Sequence, residues 1–271
     1  MSGGSDLVEI EDLRIAFRTD RGETVEAVRG VSLGLARRER LGIVGESGSG
    51  KSLTARALLG LLPPAAGMTA KRLAFDGTDL RGLGPAGWRD LRGSRIGLVL
   101  QDPKFALNPM MRVGNQIAEA LLAHRGVSRR EARRRTLDML AAVHIRDPER
   151  VWRAYPYELS GGMGQRAMIA MMLIAGPELL IADEPTSALD VTVQTQVLAV
   201  VDDLVERRGM GLIFISHDLP LVASFCDRVA VMRHGEVVET CRAADLDRAA
   251  HPYTRALLAA VPRLEEAPPP S

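Results

Sequence analysis

Cysteine is nearly absent from this chain: Cys226 and Cys241 stand fifteen positions apart in 271 residues. That spacing contains no close pair of the zinc-binding kind and no disulfide framework, so both are expected to be reduced structural residues. A charge bias is missing too. Thirty-five basic and 34 acidic residues leave a formal net charge of +1, which gives no electrostatic basis for wrapping DNA or RNA. No apolar run approaches the roughly 20 residues that span a bilayer; Ala167 to Ala175, among the longest, stops at Gly176-Pro177. The start, Met1 to Asp6, lacks the basic and apolar regions of a signal peptide. The expectation is a cytoplasmic chain that cannot cross a membrane unaided but can sit on a membrane partner. What remains is ordinary for a folded soluble protein, 46% hydrophobic and 25% charged, and long enough for one large domain or two small ones.

The organising stretch is Gly45-Glu46-Ser47-Gly48-Ser49-Gly50-Lys51-Ser52. It follows the apolar run Leu41 to Val44 and leads into Leu53 to Leu59, so it reads strand, glycine-rich turn, helix, with the spacing G-x-x-x-x-G-K-[ST]. Glycines let successive backbone N–H groups turn inward onto an anion, and the helix N-terminus is aimed at the same point. Lys51 can reach β and γ phosphates, and Ser52 offers a hydroxyl to Mg²⁺. The chain is expected to bind a nucleoside triphosphate.

In chain order, residues 7–17 read as a strand, 19–23 as a polar turn, and 25–35 as a second strand pair broken at Gly30 and Gly34. A helix is expected from Lys51 to about Leu62, stopped by Pro63-Pro64. Residues 73–75 and the turn Asp76-Gly77, a short helix over 85–91, and a strand over 96–100 follow. From Val113 to Tyr157 the pattern is helical without strand-like runs. Its basic segment, Arg129 to Arg135, is read as a solvated helix face. After Gly176-Pro177 the alternation returns: strand 179–182, helix 191–208, strand 212–215, helix 219–225, and a hairpin with His234-Gly235 at its turn. The proline-rich tail 262–271 is expected to be flexible. Strands alternating with helices imply a mostly parallel sheet.

Leu179 to Glu184 is an apolar strand ending in two carboxylates. Parallel strands present their C-terminal ends to the ligand, so Asp183 is expected to hold Mg²⁺ and Glu184 to orient or deprotonate a water attacking the γ phosphate. Ser160-Gly161-Gly162 opens the long helix after it and forms a second anion site by the same physics. One chain has no evident need of two. Two chains head to tail could each face the other's phosphate loop with this cap.

On these residues the chain resembles the nucleotide-binding subunit of an ABC transporter. The phosphate loop matches Walker A, Leu180 to Glu184 is similar to Walker B, and Leu159 to Arg166 resembles the ABC signature. Gln101 falls at the Q-loop, Ser187 to Asp190 at the D-loop, and His217 at the switch histidine. The resemblance implies an α/β P-loop core with a mostly parallel sheet, an N-terminal antiparallel β subdomain, and an inserted α-helical subdomain. The ATPase domain would span 6–261, with its core in 6–101 and 161–261 and the insertion at about 102–160. It implies ATP and Mg²⁺, with nucleotide contacts from Gly45 to Ser52, Gln101, Ser160, Gly161, Gly162 and Asp190. Metal contacts would come from Ser52, Gln101 and Asp183, and catalysis from Lys51, Glu184 and His217. Phe17 is the candidate to stack on adenine.

Phe105-Ala106-Leu107-Asn108-Pro109, Tyr155 to Leu159, and His251-Pro252-Tyr253-Thr254 resemble the peptide/nickel importers over nearly the whole chain. Leu100 departs from the aromatic often found before the glutamine, and Gly164 from a residue that is often larger and basic. The implied partners are two permease subunits, a second ATPase subunit, either a paralogue or a copy, and, indirectly, an extracytoplasmic solute-binding protein, at the cytoplasmic face of the membrane. Permease helices would dock around Phe105 to Met111. The alternative readings are an exporter ATPase or a soluble ABC-type ATPase acting on nucleic acid. Gln101 and Ser160 are 59 positions apart, too close for the long coiled coil of chromosome-structure relatives.

Overall fold

A computed structural model describes residues 6–19, 22–187 and 189–260. The elements are β1 (Val8–Arg18), β2 (Thr24–Leu35), β3 (Arg40–Val44), α1 (Lys51–Ala57), β4 (Ala66–Thr69), β5 (Arg72–Phe75), β6 (Thr78–Asp79), α2 (Pro85–Leu91) and β7 (Ile96–Val99). Then come α3 (Val113–His124), α4 (Arg129–Ala142), α5 (Pro148–Arg153), α6 (Gly161–Leu173), β8 (Leu179–Asp183), α7 (Val191–Arg208), β9 (Gly211–Ser216), α8 (Leu219–Phe225), β10 (Arg228–Arg233), β11 (Glu236–Arg242) and α9 (Pro252–Ala259).

Two sheets form. One runs β11-β10-β3-β9-β8-β7, parallel throughout except for β11. The other is antiparallel, β2-β1-β5-β6, with β4 added to β1. The central strands β8 and β9 are buried at every residue. That requires apolar side chains on both faces and explains why they read as continuous hydrophobic runs. Their pleat divides the interior. Leu180, Ala182, Leu212 and Phe214 face the helices α3, α4, α6, α7 and α8, whereas Leu179, Ile181, Ile213 and Ile215 face α1 and the antiparallel sheet.

Three expectations are corrected. Residues 24–35 form one strand, not two, because β2 stays paired to β1 through Gly30 and Gly34, absorbing the irregularity as shifts of register. Helix α1 ends at Ala57, not near Leu62; Leu58 and Leu59 are fully buried and the chain turns there, with Leu61 N–H donating to Arg56 O. Strand β4 was missed. Its residues are half-buried or exposed, so it carries no apolar pattern and is held by backbone pairing to β1.

The helical stretch carries α3, α4 and α5, joined to the rest through α6. The basic face of α4 is exposed and self-paired: Glu131 accepts from Arg134 and Arg135, and Arg133 donates to Glu149. The Arg134 and Arg135 hydrogen bonds hold the Glu131 carboxyl down at about 2. The polar turn at 19–23 and the tail from 261 lie partly or wholly outside the described residues.

Candidate functional site

Parallel pairing brings the sequence-predicted residues to one sheet edge. Val44 lies opposite Ser216, Asp183 opposite Ile215, and Val99 opposite Ala182. The loops that leave these strand ends carry Gly45 to Ser52, Glu184, His217 and Gln101. The edge is the C-terminal one, where parallel α/β sheets hold their ligands.

The phosphate loop is built by close approach. Gly45 adopts φ +151°, and a Cβ there would lie 2.1 Å from Met232 O, so only glycine passes under the end of β10. Beyond it, Glu46, Ser47 and Gly48 form an exposed crest. Lys51 is buried, and its Nζ donates to Gly45 O at 2.7 Å and Glu46 O at 2.8 Å. Two carbonyls therefore occupy a charged donor whose reach also covers an anion bound in the loop. Burial pulls the Lys51 ammonium below its ordinary pKa, opposed by Glu184, Asp183 and Glu46.

Ser52 Oγ donates to Asp183 Oδ1 at 2.7 Å, and Arg56 Nη2 stands 3.8 Å from Asp183 Oδ2. Asp183 is nearly fully buried, and desolvation pushes its carboxyl up, opposed by the Ser52 bond and Arg56. Glu184 follows with φ +48°, unusual for a residue with a side chain. Its Oε2 is 3.4 Å from His217 Nδ1. Ser47, Ser52, Arg56, Leu100, Gln101, Asp102, Asp183, Glu184 and His217 together line one open cleft of about 860 Å³. Its donors are hydroxyl, amide and carboxylate oxygens, the hard set a small divalent cation prefers. The donor set and the glycine passage at Gly45 fit a triphosphate with its metal.

Of the expected residues outside the phosphate loop, five do not line this cleft. Ser160 caps α6 by accepting from Met163 N–H at 3.4 Å, and Asp190 caps α7 by accepting from Val193 N–H at 3.0 Å. Gly161 lies against Leu189. A Cβ on Gly162 would meet Val193 Cγ1 at 2.5 Å, so the two caps are packed together. Phe17 is half-buried on β1, paired with Val25 and Ala66.

Sequence reasoning missed three residues. Arg56 sits one helical turn past Ser52 beside Asp183, a position that helix periodicity could have exposed. Fully buried Gln165 donates from Nε2 to both Leu100 O and Pro185 O, tying α6 to the backbone beside Gln101 and beside Glu184. Tyr253 accepts at its hydroxyl from Glu46 N–H at 3.2 Å. No sequence pattern announces the last two contacts.

Comparison with known proteins agrees with this geometry. A family model described as ABC transporter matches residues 28–187. The oligopeptide transport ATP-binding protein OppD of Bacillus subtilis is 47% identical over 261 residues, covering 96% of this chain and 73% of that protein. A probable peptide ABC transporter ATP-binding protein, y4tR of Sinorhizobium fredii, is 49% identical over 258 residues, 94% and 77% of the two chains. Among solved structures, the dimeric post-hydrolysis state of the ATP-binding cassette MJ0796 bound to ADP and Pi superposes with a TM-score of 0.77 at 27% identity, covering 87% of this chain and 98% of that one.

Proposed function

Because this chain belongs to the ABC transporter family, a family of ATPases, we propose that it is the ATP-hydrolysing subunit driving uptake of peptides through a membrane permease. The observation that carries the reading is the cleft in which Ser47 and Ser52 of the phosphate loop meet Asp183, Glu184, Gln101 and His217 while Ser160 lies outside it. It is half of a site.

The loop Gly45 to Ser52 cradles the phosphates, with Lys51 leaving its carbonyl partners for β and γ oxygens. Ser52, Asp183 and Gln101 would hold Mg²⁺, which when bound neutralises charge on the phosphate oxygens. Glu184 accepts the proton of the water that attacks the γ phosphorus, as the bond to the ADP oxygen breaks and ADP departs with that electron pair. His217, next to Glu184, contacts the γ phosphate and holds carboxylate and water in register. Phe17 stacks on the adenine. A second cassette, either a copy of this chain or a paralogue, supplies Ser160, Gly161 and Gly162 to the γ phosphate, with Asp190 at the seam. Closure of the pair pulls on two permease subunits through the helical stretch of about 102–160, and an extracytoplasmic binding protein delivers the solute.

Transport in the relatives' names supports a peripheral place on the cytoplasmic face; among the described residues no helix is long and apolar enough to cross a membrane. Peptides are favoured over nickel because the relatives' names carry peptide and oligopeptide; transport in those names speaks against a nucleic-acid ATPase, and import in the name of a glutathione relative against an exporter. Deletion of the gene is expected to abolish ATP-dependent uptake of labelled di- and oligopeptides. Intact peptide uptake with lost ⁶³Ni²⁺ uptake would overturn the cargo assignment.

A further inference from the structure

The C-terminal helix α9 reaches back to the phosphate loop. Tyr253, in its first turn, is 7% exposed, and its ring lies under Arg233, whose guanidinium carbon is 4.7 Å from the ring centroid. Its hydroxyl accepts from Glu46 N–H at 3.2 Å. The carbonyl of that same peptide unit is Gly45 O, the acceptor of Lys51 Nζ at 2.7 Å. One peptide plane is therefore pinned at both polar ends, by the tyrosine on the N–H and by the lysine on the C=O. The tyrosine is fixed in turn. His251 Nδ1 accepts from Tyr253 N–H, and Glu239 of β11 accepts from Ala250 N–H at 2.7 Å and His251 N–H at 3.3 Å. At the turn between β10 and β11, Gly235 N–H donates to Ser49 O at 3.1 Å. The loop is held at Glu46 by α9 and at Ser49 by the hairpin that carries α9.

We infer that Tyr253 is a positioning residue for nucleotide binding: its hydroxyl fixes the Gly45–Glu46 peptide, and with it the curvature of the phosphate loop and the resting place of Lys51. This rests on the reading of the cleft as an ATP site. Burial pushes the Tyr253 phenol up, so the hydroxyl stays neutral at working pH and accepts as a hydroxyl oxygen. A loop ordered before the nucleotide arrives spares the complex that ordering cost. Loss of one neutral hydrogen bond of this kind corresponds to about 1 kcal/mol, or about fivefold in Kd.

The test uses the full chain. ATP affinity is measured by equilibrium titration for wild type, Tyr253→Phe and Leu257→Ala. The first removes only the hydroxyl; the second trims half-buried Leu257, which packs α9 on the core, and leaves the hydroxyl in place. Amide exchange at Glu46 is followed in parallel. Tyr253→Phe is expected to raise Kd and KM for ATP about fivefold with kcat unchanged and to speed exchange at Glu46. Leu257→Ala is expected to lower Tm with Kd within twofold of wild type. An unchanged Kd in Tyr253→Phe, or an equal rise in Leu257→Ala, overturns the inference. So does a Glu46 amide in the nucleotide-free wild type exchanging at the rate of an open loop, a readout that needs no variant to fold. Wild type that fails to bind ATP at all would instead overturn the reading of the cleft.

Discussion

Glu184 holds a left-handed backbone, φ +48°, just past a strand whose every residue is buried. Such a conformation costs on the order of 1–3 kcal/mol in a residue with a side chain and persists where surrounding structure enforces it. Here the Glu184 N–H is tied to Ile215 O, and the turn aims the carboxylate at His217. Glu184→Gln keeps that geometry and removes the proposed base. ATP binding by titration should be unchanged, and steady-state hydrolysis should fall by roughly 10²–10⁴. Unchanged turnover would remove Glu184 from its role.

Asp183 makes a separate prediction. Folding raises its pKa, so the folded state binds the proton more tightly than the unfolded chain. The sign follows: its contribution makes the nucleotide-free protein lose stability as pH rises from below the ordinary carboxylate pKa, about 3.9, through the raised folded value. Asp183→Asn should erase that part of the slope and raise Tm at pH 7 without nucleotide. It should also forfeit the extra Tm gain that Mg²⁺ gives with ATP. Thermal unfolding across pH 4–8, with and without Mg²⁺ and ATP, checks both. Cys226 adds a third. Burial pushes its thiol up to about 12, so native protein at pH 8 should leave Cys226 unalkylated by iodoacetamide while unfolded protein reacts.

At the scale of elements, the strongly patterned pieces were legible. Helices 85–91, 191–208 and 219–225 fall on α2, α7 and α8, and the apolar runs at 179 and 212 are central strands. The last two of these helices start at side-chain caps, Asp190 and Asp218, α2 starts with Pro85 in its first turn, and the two strands are unbroken apolar runs. Two of the three failures share one cause: where pairing rather than pattern sets the element, sequence is silent. β4 exists because β1 has a free edge, and β2 continues through two glycines because its partner does. The proline pair after α1 bounded that helix without fixing its end, since Leu58 and Leu59 turn inward to the core first.

The cap of α6 gives a prediction at this scale. The Ser160 bond to Met163 N–H is long at 3.4 Å, so Ser160→Ala should cost only about 0.5 kcal/mol in chemical denaturation. ATP affinity of the isolated chain should be unchanged, because Ser160 does not line its own cleft. Hydrolysis should still fall, because in the proposed pair the residue serves the facing cassette. A weakened ATP affinity in the monomer would place the serine in its own site instead.

For the whole molecule, the motifs were readable one by one, and the parallel sheet explains why loops after four strands meet at one edge. The sequence already suggested that Ser160-Gly161-Gly162 would face a second chain's phosphate loop, but not that Asp190 would group with them. Gln101, Asp183, Glu184 and His217 join the phosphate loop, while Ser160, Gly161, Gly162 and Asp190 group around the start of α7, beside the exposed side chain of Val191. Nor could it reveal Tyr253 against Glu46, a contact between residues 207 positions apart. Long-range contacts of single side chains carry no periodic signal.

The central claim is that each cleft is completed by another cassette. Specific ATPase activity measured against protein concentration, with molar mass followed by light scattering, tests it most directly. The account predicts activity that rises with concentration as the mass doubles or, where the second cassette is a paralogue, that arises only once that partner is added. A monomer hydrolysing ATP at a constant specific rate across the whole range would contradict it.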